Sequence, residues 1–156
     1  MALETKYEIK LNDLYREVIL DHYRNPRFRK PIANPDVEEF GVNPLCGDEI
    51  TIQLCFGSQC ARNISNVAVT GRGCSICTAS GSILAELING KPIDSATRLI
   101  SLLKDVMHGR AKAPLTDFGD LEALEGIKNF PIRIKCALLP WTTLEGALKQ
   151  RERMTC

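Results

Sequence analysis

The spacing of the apolar residues changes from helical to alternating and back to helical along this chain, and those changes restrict the folds it can adopt. Residues 50–56 alternate between apolar and polar side chains, as in a strand with one face in a core. Shorter segments of the same kind lie at residues 37–42 and 67–71. The connections between them are short, so we predict a three-stranded antiparallel meander.

Most other apolar residues recur every three or four positions, which is helical spacing. The predicted helices span residues 11–23, 75–89, about 94–109 and from Pro131 onward. Asp94 is the expected N-cap of the third, and Leu121 to Leu124 form a further helical turn. We expect Pro140 to kink or break the last helix, because proline cannot bond to the carbonyl four residues earlier. The expected fold class is α+β, a small three-stranded antiparallel sheet covered by a layer of helices.

The composition indicates one globular domain, which we expect to span residues 1–156. No apolar run approaches the ~18 residues that cross a bilayer, and residues 1–12 have no signal-peptide pattern. We therefore expect a cytoplasmic protein with no membrane association. The net charge of +1 disfavours nucleic-acid binding through bulk positive charge, so no nucleic-acid partner is expected.

Cysteine is the outlier of the composition, with seven residues in the chain. Thiols in a reducing cytosol are more often metal ligands, nucleophiles or small buried residues than members of disulfides. Cys55 and Cys60, on either side of the predicted hairpin turn, are therefore expected to be unpaired.

Three short segments contain cysteines where they can bind a metal. Cys46 and Asp48 are two positions apart, so extended backbone directs both side chains to the same side. Cys74 lies between a predicted strand and a helix, where the helix N-terminus favours a thiolate. Cys136 lies in the last predicted helix. Three thiolates and one carboxylate form a tetrahedral set suited to Zn²⁺, and they could also hold iron and sulfide.

Other candidate ligands have simpler interpretations. Cys77 forms a Cys-x-x-Cys pair with Cys74, but no second pair completes a zinc ribbon, and we expect a small buried side chain. His22 and His108 lie at helix ends, where backbone carbonyls commonly satisfy histidine. Lys135 adjoins Cys136 in sequence but points about 100° away on a helix, so we expect it to be exposed.

Three ordered segments resemble the signature blocks of the NifU/IscU/SufU proteins of iron–sulfur cluster assembly. These blocks are residues 43–48 (NPLCGD), 71–76 (GRGCSI) and 133–137 (RIKCA). The scaffold branch, IscU, has histidine where Lys135 stands, and a Leu-Pro-Pro-Val-Lys motif where residues 130–134 read FPIRI. The chain is therefore identified as a SufU-type member, with the SufE/NifU-like fold.

The resemblance implies a function. SufU-type proteins bind zinc and accept persulfide sulfur from a pyridoxal-phosphate-dependent cysteine desulfurase of the SufS type, for a downstream iron–sulfur assembly complex. The implied ligands are Cys46, Asp48, Cys74 and Cys136. Our hypothesis is that Cys46 leaves the metal and attacks the partner's persulfide, with Cys136 as the second candidate acceptor. Arg133 is expected to pair with Asp48 or to stabilise a released thiolate, unless it simply faces solvent.

Two alternatives stay open at this point. The first is a scaffold that assembles a [2Fe–2S] cluster, and so binds iron, on the same ligands. The second is a structural zinc protein used only for interaction. In the favoured hypothesis the chain is a zinc-dependent sulfurtransferase that acts with its desulfurase, and it does not turn over a small molecule alone.

Overall fold

The structure is a computed structural model that describes residues 14–58, 60–111 and 115–154. Its sheet has three antiparallel strands in the order β1-β2-β3. The strands are β1 (Val37–Asn43), β2 (Asp48–Phe56) and β3 (Ile64–Arg72). The predicted meander is confirmed, and each predicted strand extends by one to three residues at one or both ends.

Within the described residues, one helix precedes the sheet and the other helical segments follow it. The helical segments are α1 (residues 14–24), α2 (Ser75–Ile88), α3 (Ile93–Met107), a 3-10 segment (Leu115–Asn129) and α4 (Pro131–Arg153). The α+β prediction is thus confirmed; of the predicted first helix, residues 11–13 lie outside the described residues. None of the helices in the described ranges is long and apolar enough to cross a membrane.

The core lies between one face of the sheet and helices α2 and α4. The inward side chains of β2 are all buried: Asp48, Ile50, Ile52, Leu54 and Phe56. Gly81 allows α2 to approach the sheet closely, since a Cβ there would lie 3.0 Å from Val69 and 3.7 Å from Pro140. The alternation of residues 50–56 therefore determines which face of the sheet is covered by helices.

A buried polar contact fixes α4 against α2. The hydroxyl of Ser80 donates to the carbonyl oxygen of Ala137 at 2.6 Å, and the indole nitrogen of Trp141 donates to Ser80 Oγ at 2.9 Å. Ser80 and Trp141 are fully buried. Because Ala137 follows Cys136 directly, this contact also determines where the Cys136 sulfur lies.

Of the two outcomes expected at Pro140, a kink or a break, the break is wrong, because α4 continues from Pro131 through Arg153. Pro140 is buried where α4 packs against α2 and the sheet. Proline inside a helix costs about 3 kcal/mol or more, and burial of the surrounding apolar side chains offsets that cost here. Pro131 occupies the first turn as predicted, where its missing N–H is harmless.

Two local predictions also need correction. Pro92, not Asp94, is the N-cap of α3, and Asp94 lies in the first turn, where its carboxylate pairs with Arg62 at 3.0 Å. The predicted turn at Leu121 to Leu124 is part of the longer 3-10 segment. That segment kinks at Gly119, whose φ of 57° suits glycine.

The cysteines of the hairpin differ from one another. Cys55 is a free thiol, as expected. Cys60 is disulfide-bonded, so the prediction of an unpaired thiol there is wrong. A disulfide partner can be remote in sequence, and spacing alone does not reveal it.

Gly41 on β1 is required where α4 crosses the strand. A Cβ there would collide with the hydroxyl of Thr143 and lie 3.2 Å from its Cβ. Thr143 is buried and its hydroxyl donates to Leu139 O, so it cannot move freely. We expect Gly41→Ala to lower the free energy of unfolding by about 1–3 kcal/mol, measured by urea denaturation.

Gly57→Ala is the matched control, because nothing lies within 4 Å of a Cβ at that position. It should change the free energy of unfolding by less than about 0.5 kcal/mol. Equal unfolding midpoints for the two variants would show that α4 does not press against β1 at Gly41.

Candidate metal centre

Three separate elements meet at one end of the sheet and bring the predicted ligands together. Cys46 lies in the tight loop between β1 and β2, Cys74 at the start of α2 and Cys136 in the second turn of α4. The loop is held by Asn43, whose carbonyl accepts from Gly47 N at 2.8 Å. Gly47 has a φ of 75°, a left-handed conformation that favours glycine.

The ligand atoms of Cys46, Asp48 and Cys136 all lie within 4.8 Å of one another. Cys46 Sγ is 3.0 Å from Asp48 Oδ2 and 3.7 Å from Cys136 Sγ. Positions 90 residues apart in sequence are therefore adjacent in space. This convergence is what a single bound ion requires.

Cys74 lies beside this group at the N-terminus of α2, but its sulfur is not among the ligand atoms that all lie within 4.8 Å of one another. Its Sγ lies 3.7 Å from Asp48 Oδ2, and its backbone N–H donates to Asp48 Oδ1 at 2.9 Å. Cys74 is the N-cap of α2, and its sulfur accepts from Cys77 N at 3.4 Å. Asp48 thus links the loop after β1 to the beginning of α2.

The electrostatics of the site favour a carboxylate at Asp48. Burial alone would raise its pKa, but hydrogen bonds from the Cys46 thiol and the Cys74 amide outweigh it, so the pKa is lowered. For Cys136, burial and the charge of Cys74 raise the pKa above its ordinary value. A divalent cation reverses this preference, because it stabilises thiolates.

The donor types fit a tetrahedral metal site, and so does the spacing of one sulfur pair, Cys46 and Cys136. With Zn–S bonds of about 2.3 Å, tetrahedral geometry places two sulfurs about 3.8 Å apart. The Cys46–Cys136 separation is 3.7 Å. Three sulfurs and one carboxylate oxygen are donors that zinc accepts. The residues present therefore fit zinc.

Cys77 lies next to this set and is buried, as predicted, with 2% of its surface exposed. Burial, together with the charges of Asp48, Cys74 and Cys46, raises its pKa to about 12. Its side chain packs directly against Gly73, where a Cβ would be 3.1 Å from the Cys77 sulfur.

The structure does not bring Arg133 to Asp48. Arg133 is exposed on the first turn of α4, and its guanidinium makes no hydrogen bond or ion pair with any described residue. Both oxygens of Asp48 already accept hydrogen bonds from Cys46 and Cys74. Lys135 is exposed, in agreement with its predicted orientation.

The two histidines lie away from the ligands. His108 Nδ1 is 2.8 Å from the carbonyl of Lys104, as predicted for a helix-end histidine. His22 is fully buried, and its nitrogens lie 2.7 Å from Ser82 Oγ and 2.7 Å from Asp120 Oδ2 instead of from carbonyls. His22, Asp120 and Glu86 form a second compact group, but the guanidinium of Arg27 already pairs with Glu86 at 3.0 Å.

Exposed apolar side chains around Cys46 were not predicted from the sequence. Leu45 is 79% exposed and Ile132 is 87% exposed. Together with Cys46, Pro131 and Lys135 they line a cleft of about 280 Å³. The available signal was an apolar residue directly before Cys46 and another at the beginning of α4.

Comparison with known proteins identifies the family of this chain. The sequence pattern of the NifU-like N terminal domain matches residues 14–137. The chain belongs to this family. The matched range includes all four candidate ligands and most of the described structure, so the predicted membership of the NifU/IscU/SufU proteins, as a SufU-type chain, is confirmed.

Relatives within the family cover nearly the whole chain. The zinc-dependent sulfurtransferase SufU of Bacillus subtilis is 38% identical over 146 residues, covering 94% of this chain and 97% of its own length. The iron–sulfur cluster assembly scaffold protein IscU of Streptococcus pyogenes is 33% identical over 141 residues, covering 90% and 86%.

Solved structures of family members have the same fold. A SufU protein of the thermophile Fervidobacterium islandicum AW-1, described as a candidate scaffold for the SUF system, superposes with a TM-score of 0.78. It is 35% identical, and the match covers 85% of this chain and 94% of that one. A NifU-like protein from Brucella abortus, 22% identical, has a TM-score of 0.82 over 92% and 98% of the chains, which shows the shared fold.

We expect Cys74→Ser to weaken Zn²⁺ binding by more than about tenfold, because losing even a side chain that hydrogen-bonds to a metal ligand typically weakens binding by about 10–100-fold. Competition with a chromophoric chelator measures the affinity. Cys55→Ser is the matched control, since Cys55 is a free thiol in β2 outside the set. Equal zinc affinities for the two variants would exclude Cys74 from the site.

Proposed function

We propose that this chain is a zinc-binding sulfurtransferase that accepts persulfide sulfur from a cysteine desulfurase for iron–sulfur cluster assembly. Its similarity over nearly its full length to a zinc-dependent sulfurtransferase supports this assignment. One observation carries the proposal: of the ligand set, Cys46 is exposed, whereas Asp48 and Cys136 are buried. A site that only stabilised the fold would have no need of an exposed thiolate.

Accessibility favours Cys46 as the first acceptor. Sulfur transfer between two proteins requires the sulfurs to come within bonding distance, so the acceptor must be at the surface. Cys136 is only 2% exposed, beneath the loop that holds Cys46. Cys46 also lies in a loop of four residues between β1 and β2, outside the helices, and loops are generally more mobile than the elements that they connect.

The proposed step is an exchange between sulfurs. The Cys46 thiolate attacks the terminal sulfur of the partner's persulfide, and a new S–S bond forms on Cys46. The S–S bond of the partner breaks, and its electron pair stays on the partner's cysteine as a thiolate. Nothing is oxidised or reduced overall, because sulfane sulfur moves from one thiolate to another.

Zinc, held by Cys46, Asp48, Cys74 and Cys136, would supply positive charge that keeps the ligand sulfurs deprotonated at neutral pH. A carboxylate in place of a fourth thiolate leaves the set less firmly closed than a Cys₄ site. For Arg133 we propose a role toward the incoming sulfur and not toward Asp48. Its exposed guanidinium is free to meet the negative charge of a persulfide.

The surface around Cys46 suits a protein partner. Leu45 and Ile132 project from the two sides of the cleft beside Cys46, and Phe130 is 61% exposed nearby in sequence. Exposed apolar side chains grouped around a reactive residue are typical of interaction sites. We propose that the desulfurase docks here, with an apolar contact surrounding the exchanging sulfurs.

The scaffold alternative uses the same four ligands for a [2Fe–2S] cluster, and the IscU relatives support it. Lys135 disfavours it, because histidine stands at this position in the scaffold branch and Lys135 faces solvent here. A purely structural zinc protein is disfavoured by the exposed Cys46.

Replacing Cys46 tests the proposal. We expect Cys46→Ser to abolish the stimulation of sulfide release by a cysteine desulfurase, because serine cannot form a persulfide. Docking should persist, since the apolar surface is unchanged. Sulfide release with a reductant present and desulfurase binding by calorimetry are the two measurements.

Cys55→Ser, a thiol outside the site, serves as the control and should stimulate like the unaltered protein. Full stimulation by Cys46→Ser, together with its loss in Cys136→Ser, would move the acceptor to Cys136. Unchanged stimulation in both variants would contradict sulfur transfer through this site.

A further inference from the structure

Cys77 has no role in the proposed transfer, yet it is buried directly behind the metal site. It lies three residues after Cys74, which is the N-cap of α2. Cys74 begins the first helical turn, since its carbonyl accepts from Thr78 N at 3.0 Å. One turn rises about 5.4 Å, which is within the ~4.4–6.8 Å Cα range of disulfides. Both thiols are free in the structure.

Both side chains lie at the beginning of α2. Cys74 Sγ already accepts a hydrogen bond from Cys77 N at 3.4 Å. The Cys77 side chain is turned back toward the beginning of the helix, where a Cβ on Gly73 would lie 3.1 Å from its sulfur and 3.4 Å from Asp48 Oδ1. Glycine at position 73 therefore leaves the space that Cys77 occupies.

We propose that Cys74 and Cys77 form a reversible disulfide when the protein meets hydrogen peroxide, with Cys77 as the resolving cysteine. Cys74 is half-buried and reachable by a small oxidant, whereas Cys77 is shielded and reacts only within the chain. The disulfide needs only these two sulfurs and an oxidant, so its formation is independent of sulfur transfer.

The chemistry balances in two steps. The Cys74 thiolate attacks one peroxide oxygen, the O–O bond breaks, and Cys74 sulfenic acid and hydroxide result. The Cys77 sulfur then attacks the sulfenic sulfur. The S–O bond breaks, water leaves with the proton of the thiol, and the disulfide forms. Two sulfurs supply two electrons, and peroxide is reduced to water.

This disulfide withdraws a ligand from the metal set. A sulfur bound to a second sulfur has no thiolate charge, and only thiolates are good metal ligands. Cys46, Asp48 and Cys136 are then left to hold the ion. Capture by Cys77 also prevents further oxidation of Cys74 to sulfinic and sulfonic acids, which thiols do not reverse.

Peptide mapping of the zinc-loaded full chain tests the proposal. Trypsin spares a lysine that precedes proline, so it releases residues 73–98 as one peptide, whose only cysteines are Cys74 and Cys77. After peroxide and then alkylation, this peptide should carry no alkyl group and weigh about 2 Da less than the dithiol. About one zinc ion should be released to a chelator for each disulfide formed.

Cys77→Ala should remain oxidisable but lose reversibility. We expect its Cys74 to proceed to sulfinic acid, so that dithiothreitol restores less than half of the zinc binding that it restores in the unaltered chain. Cys77→Ser is the second variant, in case alanine leaves a destabilising cavity, and circular dichroism checks that each is folded. Cys55→Ser should recover fully.

Two results would overturn the proposal. One is a peptide 73–98 with both cysteines alkylated while Cys46 and Cys136, whose sulfurs are 3.7 Å apart, are oxidised instead. The other is equal recovery of zinc binding by Cys77→Ala and the unaltered chain. Because neither measurement uses a desulfurase, both outcomes are separate from failure of sulfur transfer.

Discussion

The buried carboxylate of Asp48 is the constraint on which the site depends. It begins β2, accepts from the backbone of Cys74 at the start of α2, and lies against the Cys46 thiol. Burying a charged group is costly unless it is paired. The groups paired with Asp48 are hydrogen-bond donors from Cys46 and Cys74, whose sulfurs are proposed ligands of the same ion. Asp48 therefore joins the sheet, the loop and a helix terminus at one point.

The last helix reaches that point through packing. Ser80 and Trp141 hold α4 on α2, and Gly41 lets α4 lie close to β1. These contacts are remote from the chemistry, but they place Cys136 Sγ opposite Cys46 Sγ. Buried Asp48 and Cys136 beneath an exposed Cys46 are a suitable arrangement for holding an ion while one sulfur reacts.

Sequence reasoning predicted the elements wherever periodicity was strong, as in β2 and α2. It failed where tertiary contacts override local preference. Pro140 does not break α4, because the helix is buried on both sides of it, and Asp94 does not cap α3, because Pro92 occupies that position. The 3-10 segment around Gly119 has little periodicity, so only one of its turns was foreseen.

The ligands were identifiable, but their convergence was not derivable from spacing, since Cys46 and Cys136 are 90 residues apart. The resemblance to a family supplied that link. The exposed apolar side chains around Cys46 and the partners of His22 depend on tertiary placement and were missed. Arg133 was assigned from helical spacing to Cys136, which fixes a helix face but not the reach of a long side chain.

X-ray absorption at the zinc edge of the purified protein tests the central claim most directly, because it counts the atoms bound to the ion. Three sulfurs at about 2.3 Å and one oxygen at about 2.0 Å are expected if Cys46, Asp48, Cys74 and Cys136 bind one zinc. A shell of four sulfurs would place Cys77 in the site and Asp48 outside it. A shell dominated by nitrogen would contradict this ligand set altogether.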